Sequence, residues 1–168
     1  MYNCAIIIRS EAMRKKDLYR PNVAMIIVSS SYPQKKEIFL AQRNDLLDVW
    51  QFPQGGIDDG EEVREALFRE LEEEIGTSEV EVIAEFPEWI SYDFPPKIAK
   101  SMYPFIGQKQ KYFLLKLDIK AEINIQTEHP EFSDYKFVEV DDVLSLSASF
   151  KKDVYKSVIT YFKEEGLL

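Results

Sequence analysis

The chain has 168 residues, 45% of them apolar and 30% charged, the proportions of one globular domain with a real core rather than of a disordered segment. With 21 Lys and Arg against 30 Asp and Glu the formal net charge is −9, which disfavours DNA binding driven by many unopposed cations on phosphate. The one cysteine, Cys4, excludes an intrachain disulfide and a cysteine zinc cluster; no apolar run reaches membrane-span length and MYNCAIIIRS is too short in its apolar part for a secretory leader, so a soluble cytoplasmic protein is expected.

Residues 1–18 read as a variable lead-in, with Cys4 inert and Met13 an alternative start, and the domain proper is expected over 19–168. VAMIIV (23–28) is short, apolar and partly β-branched, as a buried strand is. SSSYPQKK makes a turn, and EIFLAQR (37–43) is the returning strand. WQFPQGGIDDGEE is a loop punctuated by Pro53, Gly55, Gly56 and Gly60. A helix follows, capped by Asp59 with Glu62 completing a capping box. Val63, Ala66, Leu67, Leu71 and Ile75 form its apolar stripe, and Gly76 is its C-terminal cap. EVEVIAEF (79–86) alternates at period two, the mark of a half-buried strand. Residues 87–107, broken by Pro87, Pro95, Pro96 and Pro104, make a long irregular segment of the kind that is usually functional. KYFLLKL (111–117), AEINI (121–125) and YKFVEV (135–140) are further strands. KKDVYKSVITYFKEEG closes the chain as a helix with Val154, Val158, Tyr161 and Phe162 on one stripe.

The chemistry concentrates in the first helix. Glu70, Glu73 and Glu74 stand at i, i+3 and i+4, so they leave one face of it. Like-charge pairs on an exposed helix cost only about 0.2–0.5 kcal/mol each, and on spacing alone a solvated acidic face accounts for them as well as a divalent-ion site does. Context favours the ion. A glycine-rich loop that can approach a ligand closely precedes the cluster, and carboxylates are the ligands that Mg²⁺ and Mn²⁺ prefer, usually together with substrate phosphates. A G-x-x-x-x-G-K-[ST] phosphate loop is missing, which argues against a kinase or GTPase of that type.

GGIDDGEEVREALFRELEEEIG (55–76) resembles the Nudix box, G-x5-E-x7-R-E-U-x-E-E-x-G-U, where U is a bulky aliphatic residue. Gly55, Glu61, Arg69, Glu70, Leu71, Glu73, Glu74 and Gly76 stand as the pattern demands, and Thr77 departs from the last U. Seven identical fixed positions have a chance likelihood below roughly one in 10⁷. YRPNVA, WQFPQGGI, IGQKQKYFLLKL, PEF and SFKKDVY extend the likeness, in order, to the bacterial RNA 5′-pyrophosphohydrolases, also known as dinucleoside polyphosphate hydrolases. That resemblance implies an α/β/α sandwich around a mixed β-sheet and a need for Mg²⁺ or Mn²⁺. The implied reaction converts the 5′-triphosphate or diphosphate end of RNA to a monophosphate, initiating decay, or cleaves dinucleoside polyphosphates.

By the same resemblance Glu70, Glu73 and Glu74 bind the metal with the Gly55 carbonyl, and Glu131 of PEF reaches the cluster from a separate loop. A carboxylate accepts the proton of the attacking water, Glu70 or Glu74 first and Glu131 second. Arg69 orients a box carboxylate through a bidentate pair, and Glu61 serves the helix start. Arg20, Arg43, Gln108, Lys109, Lys111, Lys151 and Lys152 are candidates for holding phosphate or RNA backbone. Tyr92 and Phe150 are candidates to sandwich a base; the alternative for Phe150 is a core position. Partners are then 5′-phosphorylated single-stranded RNA ends or dinucleoside polyphosphates, with no membrane and no DNA, and an accessory activator would leave no trace in the sequence. The rivals are a diadenosine tetraphosphate hydrolase giving ATP and AMP, which uses the same box, and a non-catalytic nucleotide sensor, which the complete box argues against.

Overall fold

A strand made of VAMIIV, apolar at every position, must be covered on both faces. In the computed structural model, which describes residues 18–168, it is. The expectations about Cys4, Met13 and the lead-in up to residue 17 lie outside the described residues. The central pair is β1 (Tyr19–Val28) and β7 (Gly107–Leu117), which run parallel in continuous register from Tyr19↔Gly107 to Val28↔Lys116. The other named strands of the described residues pair antiparallel: β2 (Glu37–Arg43) and β4 (Gln54–Gly56) on β1, β3 (Trp50–Gln51) and β8 (Phe132–Glu139) on β2, β5 (Val80–Glu85) and β6 (Ile90–Asp93) on β7. The sheet is mixed, as expected.

Alternation along β1 and β7 divides the interior in two. Ala24, Ile26, Val28, Tyr112 and Leu114 join Val154, Tyr155, Val158, Ile159 and Phe162 of α4 (Lys152–Glu164). Val23, Met25, Ile27, Phe113, Leu115 and Leu117 face the other way, onto Ala66, Leu67, Leu71 and Ile75 of α1 (Val63–Ile75). The result is the expected α/β/α sandwich, with α1 on one face and α4 on the other.

Four local expectations change. The cap of α1 is Glu62, with Glu65 completing the capping box, rather than Asp59. Gly60 takes a positive φ of 80° and Glu61 N–H bonds back to the Asp58 carbonyl, so a turn separates Asp59 from the helix. AEINI is not a strand. Its alternation is real, since Ala121, Ile123 and Ile125 pack on the α1 side, but Asn124 N–H donates to the Ile75 carbonyl at the helix end instead of to a sheet neighbour. The expected loop WQFPQGGIDDGEE contains β3, which pairs with β2, and β4, whose glycines pair with Val23 and Asn22 of β1. The 87–107 segment carries β6 and a short helix, α2 (Pro96–Ser101), whose start the Pro95-Pro96 pair favours. A further short helix, α3 (Val143–Leu146), precedes α4.

Candidate active site

β4 brings the glycine loop against α1. Met25 N–H bonds to the Pro53 carbonyl (2.9 Å), and Gly55 pairs with Val23. A Cβ on Gly55 would lie 1.7 Å from the Glu70 carboxyl carbon, so only glycine permits this approach. From the α4 side the Tyr155 hydroxyl accepts the Phe52 N–H (3.1 Å), with the two rings 4.2 Å apart. The loop is thus held from both faces of the sheet.

Glu70 and Glu74 lie on the inner side of α1, 8% and 3% exposed, whereas Glu73 is exposed. Glu74 Oε2 accepts the Gln54 N–H (2.8 Å). Burial first, and then the charges of Glu131 and Glu70, push the Glu74 carboxyl well above the ordinary range. Burial also raises Glu70, against the pull of Arg69. Arg69 binds Glu61 bidentately (2.7 and 2.8 Å), Glu70 (2.8 Å), Glu73 (3.3 Å) and the Gly56 carbonyl (2.9 Å). Its bidentate partner is Glu61, itself a box carboxylate, as expected, and it holds that carboxyl down at about 2; it reaches Glu70 and Glu73 by single bonds.

Glu70, Glu73, Glu74 and Glu131 all border one cavity of about 330 Å³ with Glu128 and His129. Among the described residues no three His, Cys, Asp or Glu side chains converge as they stand on a single point fit for an ion. Arg69 engages one oxygen each of Glu70 and Glu73, which leaves the other oxygen of each carboxylate for a cation. The donor set still fits a hard divalent cation: all ligating atoms are oxygens, and the buried Glu74 makes no ion pair among the described residues that would offset its charge.

A second, larger cavity, about 750 Å³, adjoins the first, sharing Glu70, Glu73 and Glu131 with it. Arg20, Arg43, Tyr92, Gln108, Phe150 and Lys151 line it. Lys151 is 5% exposed and donates to Gln51 Oε1 (3.0 Å) and Gln54 Oε1 (3.2 Å); burial, then the charge of Arg43, pulls it down to about 7. Arg43 is already engaged bidentately with Asp45 (both 2.7 Å). Three other basic candidates lie elsewhere. Lys109 points to the opposite face of β7, its ammonium 5.8 Å from the centre of the Trp89 ring. Lys111 pairs with Glu85 and the Pro87 carbonyl, and Lys152 is exposed at the start of α4.

The aromatic expectation changes as well. Tyr92 and Phe150 touch each other, centroids 5.8 Å apart and planes at 44°, whereas a base between two rings needs them about 7 Å apart and parallel. Tyr92 is buried, with its hydroxyl on Gln108. Phe150, half-buried, both lines the cavity and packs on the core, so a base can stack on its free side only. Sequence reading did not single out Asn22, Gln51, Gln54 and Gln110, which link under this cavity, nor Lys97, Ile98, Ser101 and Met102 on and after α2. Gln110 was within reach, since it shares a strand face with Gln108 two residues away.

The chain matches the NUDIX domain over residues 18–158. It is 61% identical over 152 residues to an RNA pyrophosphohydrolase of a Nitratiruptor species, covering 90% of this chain and 98% of that one. To an RNA pyrophosphohydrolase of Campylobacter jejuni subsp. jejuni it is 60% identical over 156 residues, 93% of this chain and 100% of that one. Among solved structures, the E. coli dihydroneopterin triphosphate pyrophosphohydrolase superposes with a TM-score of 0.68 at 18% identity, over 85% of this chain and 98% of that one, which speaks to the fold alone.

Proposed function

The chain belongs to the Nudix family, and on that premise we propose that it is an RNA 5′-pyrophosphohydrolase that converts 5′-triphosphorylated or diphosphorylated RNA to a 5′-monophosphate end. The observation that carries this reading is one cavity bordered both by Glu70, Glu73 and Glu131 and by Arg20, Lys97, Phe150 and Lys151. Anionic phosphates and an adjoining base find acidic, basic and aromatic groups within the same space. Relatives at about 60% identity that carry the name RNA pyrophosphohydrolase support the same assignment.

Glu70, Glu73, Glu74, Glu131 and the Gly55 carbonyl are our assignment for holding Mg²⁺ or Mn²⁺. Such an ion, when bound, offsets phosphate charge and makes water a better nucleophile. We assign Glu70 to accept the proton of the attacking water, because it borders both cavities while Glu74 borders only the smaller. Glu131 is the rival base. Arg20 and Lys151 hold the phosphates, and Arg69, with its donors committed inside the protein, positions Glu70 rather than substrate.

The test is steady-state hydrolysis with Mg²⁺ of a short 5′-triphosphorylated RNA and of diadenosine tetraphosphate in parallel, with all products resolved. A higher kcat/KM on RNA with pyrophosphate as co-product is expected. A clear preference for the dinucleotide would make the chain a nucleotide-clearing hydrolase, and inactivity on both would leave a nucleotide sensor.

A further inference from the structure

Resting on that reading, we propose that Gln54 is a positioning residue for substrate: its side-chain amide fixes which groups Gln108 and Lys151 present to the cavity, while its backbone N–H separately holds Glu74. A glutamine amide has one accepting end and one donating end, so a chain of amides transmits a direction. The direction starts at Tyr112, fully buried, whose hydroxyl donates to Gln110 Oε1 (2.8 Å). Gln110 must then donate through Nε2, and it does so to Asn22 Oδ1 (2.7 Å) and Gln54 Oε1 (3.0 Å). Gln54 Oε1 also accepts from Lys151 Nζ (3.2 Å). Its Nε2 is left to donate to Gln108 Oε1 (3.1 Å), which receives the Tyr92 hydroxyl as well.

With both acceptor directions of Gln108 Oε1 taken, its NH₂ end becomes the group offered to the cavity that it lines. Lys151 uses two of its three donors on Gln51 and Gln54 and keeps one for a ligand. The Gln108 and Lys151 side of the cavity therefore presents donors, which suits phosphate oxygens or acceptor edges of a base. Reversing the Gln54 amide would set donor against donor at Gln110 and acceptor against acceptor at Gln108, so its orientation is dictated from both sides.

Two variants test this. Gln54→Leu removes both ends of the amide, and Gln54→Glu, of the same size, keeps the accepting end but cannot donate to Gln108. Both retain the backbone N–H that holds Glu74. The expected result for each is a KM for 5′-triphosphorylated RNA raised about tenfold with kcat within about threefold. The Kd for an RNA carrying a non-hydrolysable bridge between its α and β phosphorus atoms, read by fluorescence anisotropy, should rise in parallel. In a Gln108→Leu background Gln54→Leu should add clearly less than the roughly tenfold rise it causes alone, because the part exerted through Gln108 is already lost and only the part through Lys151 remains. Should Gln54→Leu fail to fold, Gln54→Glu decides by the same readings. Unchanged KM and Kd, a fall in kcat alone, or fully multiplicative effects with Gln108→Leu would each overturn the proposal. A wild type that prefers diadenosine tetraphosphate would sink the RNA reading instead, and the same coupling measured on that substrate would still decide the role of Gln54.

Discussion

Arg69 makes five hydrogen bonds, to Glu61 twice and to Glu70, Glu73 and the Gly56 carbonyl, which accounts for every N–H donor that a guanidinium owns. Its charge-assisted pair with Glu61 joins the middle of α1 to the turn before the helix, and this has a consequence in acid. The Glu61 carboxyl is held at about 2 against 4.5 when free, chiefly by the hydrogen bonds from Arg69. A depressed carboxyl contributes stability that is complete above the free value and is lost as pH falls toward the folded one. Unfolding midpoints should therefore drop between about pH 4.5 and 2 in the wild type, and that slope should flatten in Glu61→Gln; equal slopes in urea titrations across this window would contradict the pairing. Glu73 offers the complementary case. Its side chain is 59% exposed and, among the described residues, bonded only to Arg69, so Glu73→Gln should leave the melting temperature unchanged. Turnover with Mg²⁺ should nevertheless fall at least about a hundredfold, as expected for loss of a carboxylate ligand, and near-normal activity would remove Glu73 from the metal site.

Between elements, the catalytic loop depends on a helix that the box motif does not contain. Tyr155 of α4 takes the Phe52 N–H and packs its ring on Phe52, two residues ahead of Gln54. Tyr155→Phe keeps the ring but strands a buried N–H, at a cost of about 1–3 kcal/mol. The urea midpoint should fall by that amount with an unchanged m-value, and no shift would mean that the loop finds another acceptor. The same contact shows what the sequence could and could not tell. β2 was legible to the residue because an apolar stretch following a turn signal is buried on both faces, and α1 to within its cap because its apolar stripe is its buried face. AEINI misled because the burial alternates without sheet pairing, which local pattern cannot distinguish. The metal carboxylates were legible because their spacing on one helix is itself the geometry. The glutamine network was not, since Gln54, Gln108 and Gln110 meet only once β4 and β7 flank β1. Lys109 was misplaced for a related reason: neighbours in GQKQK point to opposite faces, and of these five residues Gln108 alone lines the larger cavity.

For the molecule as a whole, the net charge of −9 and the cation content of the cavity set how RNA can be held. Arg20, Arg43, Lys97 and Lys151 are the basic residues lining it, and Arg43 is already paired with Asp45. Single-stranded binding loses affinity with salt at a slope of about −0.7 per phosphate neutralised, so four cations permit a slope no steeper than about −3. An acidic exterior adds nothing for nucleotides far from the 5′ end and repels them weakly at low ionic strength. Lengthening a 5′-triphosphorylated RNA at its 3′ side should then change KM by less than about threefold, because recognition ends where the cavity does. Kinetics on a short and a long RNA at several monovalent salt concentrations, with Mg²⁺ held constant, would measure both quantities. A shallow slope with length-independent KM is the signature of an enzyme that recognises an end. A steep slope with KM falling as the RNA lengthens would require basic residues beyond the cavity to hold RNA, and would move substrate recognition away from the cavity floor formed by Gln54, Gln108 and Lys151.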